Sequence, residues 1–454
     1  MKRILTLFIV ALVFASCAKD EEQTTQPSPA ASAPANSYSA DFMSDYFTLQ
    51  CDIVRNTAGF LPTIAARSYG YLGVTAYESV VHGIAGGNSL AGQVQGFSAG
   101  SLPVPQSNQK YNWALASNVA MASMMRHMFG ENLTPEDAVL IDEMEANTKV
   151  ELSVGVEADV ILRSEEFGTA LADAIYQLSQ TDGGDESYLD PWQTPWEVPE
   201  APYCWIPTGA QAQPLSPNWM NNRSFIANVA ENTKVSPHIA FSTDEGSSFY
   251  AAAMEVNDQV TNLNTPEQVT IAEYWADDPF QTCTPTGHTF NIIKQLLVES
   301  NATLEKTAVA FGMMGIAEND AFISCWKSKY DYMLIRPVSY IQQNINPDFT
   351  TVIGTPPFPA YISGHSAEIG AGIKVMIDLF ADSQGNYTFT DLSQQQYGFT
   401  PRSFDNFYDM AEECALSRFY GGIHYQMDNT VGLELGFGVG EAVLTQINWP
   451  QNIQ

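Results

Sequence analysis

The sequence predicts an all-α protein built from helical bundles, and three observations carry that prediction. Apolar residues recur at helical spacing through 47–84, 111–129 and 158–178. Two helix starts are spelled out, Thr134-Pro135-Glu136-Asp137 and Thr265-Pro266-Glu267-Gln268, each with a capping hydroxyl, a proline at the first helical position and acid in the first turn. No stretch is rich in strand signals, and no repeat has a sharp period.

Taken in order, the chain opens on Met1-Lys2-Arg3, an apolar run from Ile4 to Val13, and Phe14-Ala15-Ser16-Cys17. That is a processing signal rather than a structural element. It resembles a bacterial lipobox, so residues 1–17 are expected as a lipoprotein signal peptide with Cys17 as the lipidated residue. Asp20-Glu21-Glu22 after it resembles the export tag of surface lipoproteins, which places the protein at the outer membrane or cell surface. A cleaved secretory signal is the simpler alternative. Residues 18–40, rich in Pro, Ser, Ala and Thr from Gln23 on, read as a flexible linker.

From Asp41 the pattern turns helical, and 41–264 is expected as an N-terminal helical region. Pro62 should break the long apolar stretch of 47–84. Thr181-Asp182-Gly183-Gly184 stops the helix of 158–178. Tyr188 to Asn222 is a long irregular segment with four tryptophans and many prolines. Its aromatics are expected to pack the loop down, with the lining of a substrate approach as the alternative. Thr265 opens the catalytic half, 265–454, in which helices are joined by a Pro-rich loop at 347–359. No segment after the signal has the ~20 apolar residues of a membrane span.

Three segments of that half hold the chemistry. They are Lys329-x6-Arg336-Pro337, Ser363-Gly364-His365 and Ser417-Arg418-x5-His424-x3-Asp428. Together they supply three cations, two histidines, hydroxyls, a glycine amide and a carboxylate, a set suited to gripping an oxyanion. Lys329 and Arg336, seven apart, are expected on one helix face, with Pro337 ending that helix. Ser363-Gly364 stands before an Ala/Gly/Ile-rich helix, 367–380, whose N-terminus favours an anion. His424 and Asp428, four apart, are expected on one helix face, the acid holding one ring nitrogen and freeing the other. A bend at Gly421-Gly422 brings Arg418 and His424 to one centre. Taken singly, each of these residues is more often a surface charge or a satisfied core group. Their joint order and spacing reverse that reading. His82, His127 and His238 are read as structural or surface residues, and His288 as lying near the site without a role.

The ordered set resembles the signature of the type 2 phosphatidic acid phosphatase and vanadium haloperoxidase superfamily. Ile362 stands where that family usually has proline. Within it the chain looks most like the soluble vanadium-dependent haloperoxidases. Trp326 matches a tryptophan lining the vanadate pocket, Phe358 an aromatic of the chloroperoxidases, and Asp278 an acid that steadies an active-site arginine. A weaker likeness runs from Thr265 through Glu273–Asp278 to Thr284–His288.

The resemblance implies a haloperoxidase-like helical-bundle fold, with the anion site at one end of the catalytic bundle and a second bundle packed against it. It implies vanadate as cofactor, His424 as the one vanadium ligand, and Lys329, Arg336, Arg418, Ser363 and Gly364 around the oxygens. His365 would be the general acid/base, and halide and hydrogen peroxide the substrates. The same residues also suit an acid phosphatase that needs no vanadate, with His424 attacking a phosphomonoester to give a phosphohistidine. A third reading is a non-catalytic surface lipoprotein that binds an oxyanion or a glycan.

Composition narrows the partners. Fifty-one acids against 19 bases give a formal net charge of −32, which argues against nucleic acid and anionic membrane surfaces. Small molecules are the expected partners, with membrane contact only through the lipid anchor. Cys51, Cys204, Cys283, Cys325 and Cys414 contain no C-x-x-C pair, so no zinc site is expected. One or two disulfides are compatible with an exported chain.

Overall fold

The structure, a computed structural model, describes residues 31–193, 196–451 and 453. The signal, Cys17 and the acidic run lie outside the described residues. Helices dominate the chain. The N-terminal half holds α1 (Asp41–Asn56), α2 (Pro62–Val80), α3 (Trp113–Phe129), α4 (Pro135–Leu152), α5 (Ala158–Ser179), α6 (Val229–Asn232) and α7 (Ser248–Asp258). The C-terminal half holds α8 (Pro266–Tyr274), α9 (Thr284–Glu299), α10 (Leu304–Tyr332), α11 (Pro337–Asn344), α12 (Gly364–Phe380), α13 (Phe407–Tyr420) and α14 (Gln426–Gln446). No described helix is long and apolar enough to cross a membrane.

Local sequence sets the boundaries. The stretch of 47–84 breaks at Pro62 as expected: α1 ends at Asn56 and Pro62 is the first residue of α2. Thr134 caps α4 through the Asp137 amide at 3.0 Å. Thr265 and Gln268 close a reciprocal capping box on α8.

The axis of the molecule is α10, 29 residues long, packed along α2 and then against α12, α14 and α9. Both α2 and α10 are buried over nearly their whole length, so the apolar core is continuous between the two halves. Glycine allows this approach. A Cβ on Gly73 would lie 2.3 Å from the Phe311 carbonyl, and one on Gly436 would lie 2.2 Å from the Ala367 carbonyl. The second contact seats α14 on α12, and both helices carry site residues at their N-termini.

Two features differ from the sequence expectation. Residues 31–40, expected as part of a loose linker, lie on the body. Ala35 is fully buried, Ser32 Oγ accepts from the Tyr111 amide at 2.8 Å, and the Tyr38 carbonyl accepts from Leu304 at 3.2 Å. A hairpin also interrupts the helices, β1 (Asn386–Asp391) antiparallel to β2 (Arg402–Asn406). Its strands have six and five residues and give no long alternating pattern in the sequence. It matters because it delivers Asp391 into the core.

Candidate active site

The three segments converge at one end of the C-terminal bundle. Lys329 lies in the last turn of α10 and is wholly buried. Its Nζ donates to the carbonyls of Pro359 at 3.0 Å, Ala360 at 3.1 Å and Ile362. Arg336 does not share that helix. Met333 ends α10 in the left-handed region, and Arg336 is the extended residue that caps α11, with Pro337 as that helix's first position. Pro337 therefore starts a helix rather than ending one. The arginine is held by backbone carbonyls, Nε donating to Phe358 at 2.7 Å and Nη1 to Ile423 at 2.9 Å.

Ser363 caps α12 by accepting from the Ser366 amide at 3.3 Å. The Gly364 N–H, first in that helix, has no intrahelical acceptor and belongs to the positive end of the helix dipole. A Cβ on Gly364 would meet only the Trp326 ring, at 3.8 Å, so the space beside it is open. Arg418 ends α13. Its Nη2 donates to the Trp275 carbonyl at 2.6 Å and its Nε contacts Ser417 Oγ at 3.1 Å.

After α13, Gly422 at φ 78 turns the chain, and His424 follows in that turn, ahead of α14. His424 and Asp428 are thus not on one helix face. Asp428 lies in the first turn of α14 and reaches back, taking His424 Nδ1 at 2.8 Å and the Tyr425 amide at 3.2 Å. That fixes the tautomer with the proton on Nδ1 and leaves Nε2 as an acceptor, to which Arg336 Nη1 donates at 3.1 Å.

His365, on the first turn of α12, is the more accessible of the two histidines. Arg418 Nη1 lies 3.3 Å from its Nε2. It faces a cavity of about 260 Å³ lined by Leu61, Trp192, Leu215, Asp278, Pro357 and Phe358, with Arg418 at its base. Trp192 and Leu215 come from the Pro/Trp-rich loop. That loop thus both lines the approach and packs down, since Trp205 and Trp219 are fully buried.

Electrostatics show what the site lacks. Burial pushes Lys329 down to about 7 and Arg336 down to about 9, and it lowers Arg418 as well. Among the described residues none of the three has a carboxylate within 4.0 Å, and Arg336 Nη2 is buried without any partner. Burial and the neighbouring cations hold His365 and His424 well below the usual histidine range, so both are neutral. Three desolvated cations with no carboxylate in direct contact are costly unless an anion joins them. The open space at Gly364, the unpartnered Nη2 and the unprotonated Nε2 of His424, whose lone pair here accepts from Arg336 Nη1, together fit a tetrahedral oxyanion such as vanadate.

Two aromatics wall the cations off. The Phe358 ring has Lys329 Nζ 5.0 Å and the Arg336 guanidinium 4.9 Å from its centroid. The Trp326 ring is 5.1 Å from Phe358, its Nε1 donating to the Leu215 carbonyl at 3.2 Å. Asp278 lies within electrostatic reach of Arg418. It stands in the cavity wall and makes no ion pair with Arg418, which the carbonyls of Trp275 and Ala272 hold instead.

The sequence reading gave no role to a buried cluster behind that wall. His288 on α9 contacts Asp277 at 3.0 Å and Asp391 at 3.1 Å, and stacks on Trp275 with centroids 4.5 Å apart. Burial alone would lower its affinity for a proton, but the two aspartates outweigh it and raise His288 to about 10. The signal available in the sequence was the run Trp275–Asp278 followed by Thr284–His288. Asp391, more than a hundred residues away, had none.

Comparison with known proteins points the same way. Residues 309–451 match the VCPO second helical-bundle domain, a span that includes all three segments. The crystal structure of the first bacterial vanadium-dependent iodoperoxidase superposes with a TM-score of 0.82 at 30% identity, covering 92% of this chain and 98% of that one. Vanadium chloroperoxidase from Curvularia inaequalis is 25% identical over 222 residues, 36% of either chain, so the match spans about a third of that relative. A bacterial vanadium-dependent chloroperoxidase shares the fold, at 14% identity and a TM-score of 0.62.

Proposed function

This chain belongs to the vanadium-dependent haloperoxidase family, and on that premise we propose that it oxidises a halide with hydrogen peroxide at the cradle around His424. The observation that carries the proposal is the set of three buried cations without carboxylate partners, arranged about a neutral histidine nitrogen.

When bound, vanadate supplies a Lewis-acidic centre that makes peroxide electrophilic toward a halide. The chain's own residues do the rest. His424 offers the Nε2 lone pair as the one protein ligand, and Asp428 keeps the proton on Nδ1. Lys329, Arg336, Arg418, Ser363 Oγ and the Gly364 N–H neutralise and hold the oxygens. His365, neutral and facing the cavity, takes up and returns the proton that peroxide must lose. Phe358 and Trp326 keep bulk water from the cations, which strengthens each contact.

The test uses the body from residue 31, since Ala35 belongs to the packed core. Chelated, vanadate-free protein should gain halide-oxidising activity on addition of vanadate and lose it in excess phosphate, because both anions compete for one cradle. Efficient phosphomonoester hydrolysis that vanadate only inhibits, without halide oxidation, would overturn the proposal in favour of the phosphatase chemistry. For location, we propose lipidation at Cys17 and display at the cell surface. Cys17→Ala should then release active protein from the membrane fraction, and wild-type protein that resists protease on intact cells would rule out display.

A further inference from the structure

Cys51 and Cys283 come from distant parts of the chain and meet in the core. Cys51 lies on the inner face of α1, and Cys283 is the residue that caps α9. Both are buried, and their thiols face the same small polar group. The Asn291 side-chain amide bridges them, with Nδ2 at 3.5 Å from either sulfur. The Tyr69 hydroxyl donates to Cys51 Sγ at 3.3 Å. Lys294, 2.8 Å from Asn291 Oδ1, adds positive charge nearby. The neighbouring Cys283, with Tyr69 and Lys294, lowers the Cys51 thiol below its ordinary value, while Cys283 is raised. Cys51 also borders an open surface groove with Thr48, Asp52 and Lys294. Cys325, by contrast, turns its thiol to the Ile362 carbonyl at 3.7 Å.

We propose that Cys51 and Cys283 are a redox site that a small two-electron oxidant of the hydroperoxide class converts to a disulfide. The Cys51 thiolate attacks one peroxide oxygen. An S–O bond forms, the O–O bond breaks, and the departing hydroxide takes a proton to leave as water. The Cys283 sulfur, giving up its proton, then attacks Cys51 sulfur. The S–S bond forms as the S–O bond breaks, and a second water leaves. Two thiols are oxidised and one peroxide is reduced to two waters. The link ties α1 to residues 279–283, which run from the cavity wall at Asp278 into α9. It also places both sulfurs beyond further attack by peroxide. The proposal does not depend on the halide-oxidising reading, since no vanadate takes part.

The test is peptide mapping of vanadate-free full-length protein, before and after exposure to hydrogen peroxide. Alkylation under denaturing, non-reducing conditions should find two fewer free thiols after exposure, and a peptide pair joining Cys51 to Cys283 that separates on reduction. The oxidised protein should also melt several degrees higher than the reduced one. In Cys51→Ala, checked for folding by circular dichroism, neither the thiol loss nor the rise should appear. Both cysteines recovered as free thiols, over-oxidation without the cross-link, or a link to Cys204, Cys325 or Cys414 instead would each overturn the proposal.

Discussion

Asp428 Oδ2 sits 2.8 Å from His424 Nδ1, and this one contact decides which ring nitrogen faces the three cations. The acid is itself pushed up to about 7 by burial, against the opposing pull of Lys329 and Arg336. It can hold His424 neutral and oriented only because the turn at Gly421-Gly422 folds the histidine back over the start of α14.

From that contact follows a separation between the two histidines. His424→Ala removes the only protein ligand and should abolish tight vanadate binding in equilibrium dialysis. His365→Ala leaves the cradle intact, so binding should persist. Turnover should fall by about 100- to 10,000-fold, the usual contribution of a general acid/base. Equal loss of affinity in both variants would contradict these roles.

Lys329 gives the cradle a pH dependence. Burial holds it at about 7 before an anion arrives, and a bound anion favours its charged form. Below pH 7 the amine is already charged, and vanadate binding needs no proton at this site. Above pH 7 it is neutral, so binding must take up a proton and affinity falls by up to about tenfold per pH unit. Calorimetry of vanadate-free protein in buffers of different ionisation enthalpy should show about one more proton taken up at pH 8 than at pH 6. Lys329→Met should lack that difference.

Phe358 is expected to act through its ring alone, because its carbonyl, which takes Arg336 Nε, survives substitution. Two desolvated cations at 5.0 and 4.9 Å from the ring make cation–π contacts. Such contacts together contribute about 1–2 kcal/mol. Phe358→Leu should therefore weaken vanadate binding by roughly 5- to 30-fold. An unchanged dissociation constant would show that the backbone carbonyls alone fix Lys329 and Arg336.

The sequence disclosed which residues meet better than how they are placed. Lys329, Arg336, His365, Arg418 and His424 could be named because charged and titratable side chains in a fixed order are visible in one dimension. How they sit could not be read. Helical spacing suggested that Lys329 shares a face with Arg336 and His424 with Asp428. Instead Met333 and Gly422 turn the chain, and each pair meets across a helix boundary. Lys329 is held by three backbone carbonyls and Arg418 by two, and carbonyls carry no sequence signature. The helices of 113–129 and 158–179 were legible because apolar residues recur there at helical spacing, and Thr181-Asp182-Gly183-Gly184 stops the second. The β1–β2 hairpin was too short to show.

His288 supplies the last prediction, since it connects the buried cluster to the site. Its ring lies between Asp277 and Asp391 and is almost wholly excluded from solvent. The Tyr274 hydroxyl donates to Asp391 Oδ2 at 2.7 Å and Gln394 Nε2 donates to Asp277 Oδ1 at 2.7 Å, so the charges are well satisfied. Trp275, stacked on the ring, gives its carbonyl to Arg418. His288→Leu leaves two buried aspartates facing each other without a cation. Breaking a buried pair in this way costs about 3–5 kcal/mol, which urea unfolding of vanadate-free protein would read directly. The sign with pH is fixed by the raised value. A histidine held at about 10 contributes stability that is complete below pH 6.5, the unfolded value, and is lost as pH rises through 10. Wild-type protein should therefore lose stability toward pH 10 more steeply than the variant does. Vanadate affinity should fall with it, because Arg418 loses a fixed carbonyl. A variant less than about 1 kcal/mol weaker, with the same alkaline limb as wild type, would reduce the cluster to ordinary core packing.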